Sequence, residues 1–208
     1  PFYGQAQEFG SLPHVVQTVK PHDNTASGQS PNLFSGLFAP KTTLPTPREF
    51  TLRMEMGDVA QAKAWLENGL DPDFQGDRIG TGLMIGAWEG KISLMEAFLA
   101  KGADINMINR HGEQAILFAA WQGHLPVVKW LVERGAEINR RRNEWTALHY
   151  AAFAGHQEVV DYLIKQGADI NATTTNGSSA LTLSIYEGKG EIAKKLIEQG
   201  ANRRIKNE

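Results

Sequence analysis

Residues 144–171 read EWTALHYAAFAGHQEVVDYLIKQGADIN, and this stretch decides the fold. Its side chains describe two short helices joined at a glycine. Thr146 carries the hydroxyl of an N-cap, free to accept a helix N–H. Leu148, Ala151 and Ala152 then share one apolar stripe at about 100° per residue. The paired alanines let another helix approach closely. Gly155 supplies the left-handed conformation that ends the first helix. A second helix starts near Gln157 and offers Val159, Val160, Leu163 and Ile164 to the core. Gly167 ends it in the same way, and Asp169-Ile170-Asn171 leads out into an extended hairpin finger.

The unit recurs in both directions. The glycine after the first helix returns as Gly57, Gly90, Gly123, Gly155 and Gly188, in steps of 33, 33, 32 and 33 residues. The glycine after the second helix keeps the same beat as Gly69, Gly102, Gly135, Gly167 and Gly200. A fixed period in this range is the signature of a solenoid, whose core is buried between neighbouring units and whose long surface is left free. One unit earlier, Ile116, Ala119, Ala120, Val127, Val128 and Leu131 fall on the same roles. The first unit departs, with Arg53 and Met54 in place of the alanine pair, as suits an end repeat with one neighbour only.

These repeats closely resemble the ankyrin family. Thr146-Ala147-Leu148-His149 stands where that family has T-P-L-H, Gly155-His156 matches its G-H turn, and Gly167 to Asn171 match its second turn. The stretch 109–140 is similar, with QAIL at 114–117 and GAEIN at 135–139; TGLM at 81–84 and SALT at 179–182 are looser. The resemblance implies an all-α ankyrin-repeat solenoid of helix-turn-helix units with hairpin fingers, in repeats of about 43–75, 76–108, 109–140, 141–173 and 174–206. It also implies a binding scaffold rather than an enzyme. An irregular, proline-rich N-terminal arm, 1–42, precedes the repeat domain, 43–208.

Composition narrows the rest. A formal charge of −2 gives no reason to expect nucleic acid or an anionic membrane. No apolar run approaches the roughly 18 residues of a membrane span. With no cysteine, disulfides, thiolate catalysis and thiolate zinc sites are excluded. The six histidines show no H-x-x-x-H or H-E-x-x-H spacing. His149, and the G-H residues His124 and His156, match family positions of structural role, with the His149 ring expected to hydrogen-bond backbone across repeats. Gly80-Thr81-Gly82 with Gly86 misses the dinucleotide fingerprint by one residue and is in phase with TALHYAA, so it is read as helix. Asn171 and Asn176 each open an N-x-[ST] sequon on a finger. No metal, cofactor or catalytic residue is expected. The start at Pro1, the lack of cysteine and the similarity in size to exported bacterial ankyrin proteins point to a periplasmic or secreted monomer.

The candidate site is a row of rings. Two residues before each first-turn glycine the chain has Trp88, Trp121, Phe153 and Tyr186. Each ring lies five residues, or about 140° of helix, beyond the core leucine or isoleucine. The resemblance places this position in a concave groove, as an exposed column. Glu89 and Gln122 follow the first two rings, while Trp145 and the run Arg140, Arg141 and Arg142 occupy the finger beside the groove. Aromatics and arginines in a row are the composition of an interface hot spot. The arginines have a second reading as a solvated loop. The arm supplies an alternative occupant of the groove: residues 1–47 hold seven of the nine prolines but also apolar side chains, with Phe34, Leu37 and Phe38 as its expected anchors. The expected function is non-catalytic binding of a protein partner through groove and fingers. Alternatives are a stoichiometric inhibitor of the immunity type, an accessory to a redox enzyme, or an enzyme or small-ligand binder with its site between arm and groove.

Overall fold

The computed structural model describes residues 43–141 and 143–203. The arm, 1–42, with its expected anchors Phe34, Leu37 and Phe38, lies outside the described residues, as does Arg142. The described residues form ten helices in five antiparallel pairs. These are α1 (Pro47–Met56) with α2 (Val59–Glu67), α3 (Gly82–Glu89) with α4 (Ile92–Leu99), and α5 (Ala115–Gln122) with α6 (Leu125–Glu133). The series closes with α7 (Ala147–Ala154) and α8 (Gln157–Lys165), then α9 (Ala180–Tyr186) and α10 (Gly190–Glu198).

The local signals do what their chemistry requires. The Thr46, Thr81, Thr146 and Ser179 side chains each accept from the N–H three residues on, capping α1, α3, α7 and α9. Gly155 sits at φ 94°, in the left-handed region that closes α7. The odd-numbered helices form an inner layer whose members pack chiefly on one another, with the even-numbered helices behind. Ala119, Ala120, Ala151 and Ala152 are fully buried at these contacts. Their lack of bulk brings the inner helices together, so α5 and α7 bury side chains almost all round. At the first repeat Met54 is fully buried and Arg53, also buried, reaches Asp58 at 2.9 Å. The missing alanine pair is therefore compensated inside the fold rather than turned to solvent.

The fingers carry tight hairpin turns, in which the Gly76, Asn109 and Thr174 N–H groups donate to the carbonyls of Gly80, Glu113 and Ser178 at 2.8–2.9 Å. Among the described residues only two isolated bridges appear there, Asn143 with Thr174 and Thr173 with Ser179. Short polar side chains add to these backbone bonds. Asp71, Asp104 and Asp169 each fold back on the N–H two residues later, at 2.9 Å. Asn106, Asn139 and Asn171 then each accept the N–H of the following repeat, from Glu137, Asp169 and Asn202 at 2.8–2.9 Å. This side-chain ladder holds neighbouring fingers in register.

Candidate functional site

The ring row is present as a partly packed spine rather than four free side chains. Trp88 is only 8% exposed, with its ring edge-on to Phe118 at 6.1 Å. Trp121 is half-buried, edge-on to Tyr150 at 6.1 Å and stacked on Phe153 at 5.5 Å. Tyr186 is 37% exposed, at the end of the row. The expectation of an exposed column is thus corrected for Trp88 and tempered for Trp121 and Phe153. The cause is the inner layer's two-sided packing. Rotating 140° from the leucine stripe moves a ring off the outer helix but onto the next inner helix. The partners Phe118 and Tyr150 lie three residues before Trp121 and Phe153, so the sequence carried their signal as a second bulky position with the same period.

Two rungs of the spine, Trp88 and Trp121, are tied down by the following repeat. The His124 ring Nε2–H donates to the Trp88 carbonyl at 3.0 Å, and the His156 Nε2–H to the Trp121 carbonyl at 2.8 Å. In the first repeat Lys91 Nζ does the same for the carbonyl of Glu55, which holds the ring position there, at 2.8 Å. Burial, first, and the nearby His124 and Lys189 lower the His156 pKa, against the pull of the Trp121 carbonyl. His149 keeps the expected structural role on backbone, but within its own repeat. Its Nδ1 accepts the Thr146 N–H at 3.1 Å, which fixes the neutral tautomer, and its Nε2–H donates to the Ala172 carbonyl at 3.0 Å. Burial lowers its pKa to about 4.

The finger before α7 completes the face. Trp145 contacts Tyr150 at 5.3 Å and Phe153 at 5.9 Å, joining the spine from the side. Arg140 is neither solvated nor displayed: its side chain is 10% exposed. Its guanidinium donates to the Trp145 carbonyl at 3.1 Å and the Gly112 carbonyl at 2.6 Å, and pairs with Glu144 at 2.9 Å. It acts as a strut between two fingers. Arg141 is exposed, and Glu89 and Gln122 are half-exposed beside the spine. Next to the strut Asn143 takes φ 65°, the only non-glycine residue with positive φ among those described. Among the described residues no three His, Asp or Glu side chains gather as a metal cage. None of the described helices is long and apolar enough to cross a membrane.

A family model described as ankyrin repeats (3 copies) matches residues 54–142, 83–174 and 139–207. The chain belongs to the ankyrin repeat family, whose repeats are protein-interaction modules. No curated protein matches it.

Proposed function

We propose that this chain is a non-catalytic scaffold that binds one protein partner across the ring spine and the finger beside it. The observation that carries this reading is the half-buried stack of Trp121, Phe153 and Trp145. It combines rigid aromatic area, polar edges at Glu89 and Gln122, and backbone pinned by His124 and His156. Aromatic side chains of this kind lose little freedom on binding and dominate interface energies. The contrast with the outer layer supports the choice of face. There Lys129 lies over the Tyr162 ring at 5.7 Å and Arg134 over the Trp130 ring at 4.2 Å, so cations already cover the aromatics.

Affinity recovery from extracts of the native host, with Phe153→Ala and Lys129→Ala variants in parallel, tests the reading. Partner recovery should be lost with Phe153→Ala and kept with Lys129→Ala. Recovery that survives Phe153→Ala and fails with Lys129→Ala would move the interface to the outer layer.

A further inference from the structure

Between the fingers of the third and fourth repeats lies a cleft of about 210 Å³, lined among others by Glu113, Arg140, Glu144, Trp145 and Tyr150. Sites for drug-sized ligands run to about 300–1,000 Å³. This cleft has the room of a single side chain.

Its chemistry selects the sign of the occupant. Two carboxylates, Glu113 and Glu144, meet one guanidinium, which leaves the lining with one formal negative charge when His111 is counted neutral. The guanidinium of Arg140 is already engaged by the Gly112 and Trp145 carbonyls and by Glu144, so it has little left to offer an anion. Tyr150 adds an acceptor to the lining. It is only 2% exposed, yet its hydroxyl makes no hydrogen bond to any described residue. The hydroxyl is not sealed inside the core, and Tyr150 forms part of the cleft wall. Burial, with the Glu113 charge second, keeps this phenol protonated far above neutral pH. The oxygen lone pairs therefore stay available to an N–H donor entering the cleft.

We infer that the cleft receives a lysine or arginine side chain of the partner. Its N–H donors are shared between the Tyr150 hydroxyl and the Glu113 and Glu144 carboxylates, and its aliphatic stem lies on the Trp145 indole. The inference rests on the protein-binding reading above and names the chemistry that one pocket of that face selects.

The probes are Nα-acetyl-lysine amide and Nα-acetyl-arginine amide, titrated into the isotope-labelled full chain while the Trp145 indole N–H is followed by NMR. Matched amides of norleucine and glutamate serve as neutral and anionic controls. One or both cationic probes should shift the Trp145 resonance saturably at about millimolar concentration, and the controls should not. Whichever cation binds more tightly identifies the side chain. Tyr150→Phe keeps the ring on Trp121 and Trp145 and should weaken the cationic probe by about three-fold or more. Glu144→Gln, at the cleft's exposed edge, should weaken it in the same direction without relying on a buried change. No saturable shift up to about 50 mM, an equal response to norleucine or glutamate, or unchanged affinity in Tyr150→Phe would overturn the assignment. Partner recovery that still depends on Phe153 alongside a silent cleft would sink this inference alone. A cleft that binds the probe while Phe153→Ala leaves recovery intact would sink the protein-binding face alone.

Discussion

Acidification should loosen the middle of the solenoid through His149. The ring is folded in as the neutral Nε2–H tautomer, because Nδ1 must accept the Thr146 N–H. A proton on Nδ1 would face that donor and break the cap of α7. Burial accordingly lowers the pKa from 6.5 to about 4, against the opposing pull of the Ala172 and Ser178 backbone and the Asp169 carboxylate. For a histidine with a lowered folded pKa, the unfolded chain takes up the proton first as pH falls. The stabilisation is therefore complete above the unfolded value of 6.5 and is lost as pH drops toward 4. At about 1.36 kcal/mol per unit, the loss between pH 7.5 and 4.5 is about 2 kcal/mol. Urea unfolding across that range measures it, with His149→Leu as the control, since Leu117 holds the equivalent place one repeat earlier. The variant should be less stable at neutral pH and should lose about 2 kcal/mol less on acidification. The same acid loss in both proteins would refute the reasoning, because other groups would then account for it.

Three further outcomes follow from the geometry. Gly123 and Gly135 both have positive φ, but a Cβ at Gly123 would lie 2.4 Å from the His156 ring whereas one at Gly135 meets nothing within 4 Å. Gly135→Ala should cost about 1 kcal/mol for the left-handed backbone alone, and Gly123→Ala clearly more; equal melting shifts would count against the His156 staple. Arg140→Met should cost about 2 kcal/mol by leaving the Gly112 and Trp145 carbonyls unpaired, and thermal unfolding without change would show the strut to be idle. Asp73 holds the ladder place of the later asparagines, and burial, with Asp104 and Asp71 nearby, raises its pKa despite the Asp104 N–H. Asp73→Asn should stabilise at neutral pH by about 1 kcal/mol, as an amide can also donate across the turn as Asn106 and Asn139 do; a drop in the urea midpoint would contradict this.

The fold was legible because its determinants are local and repeated. Thr146, the alanine pair and Gly155 each act within a few residues of themselves, and the period repeats their message five times. The ring spine was legible in position but not in exposure. A helical wheel sees one helix, and the burial of Trp88 comes from Phe118, thirty residues on in the chain and one repeat away in space. Arg140 misled for a related reason. Nothing in an Arg-Arg-Arg run tells which guanidinium will find two carbonyls, since Gly112 reaches it only through the packing of fingers. The hairpin fingers are legible from the motif that leads out of the helix, but the Asp and Asn side chains that fix the register between repeats act only across neighbouring fingers.

The proposed partner site is the ring spine. Site-specific photocrosslinking tests it most directly, with a photoreactive phenylalanine placed in turn at Phe153 on the spine and at Lys129 on the outer layer. A single crosslinked partner is expected at position 153, absent at 129 and suppressed by excess unlabelled protein. Crosslinking at 129 and none at 153 would contradict it.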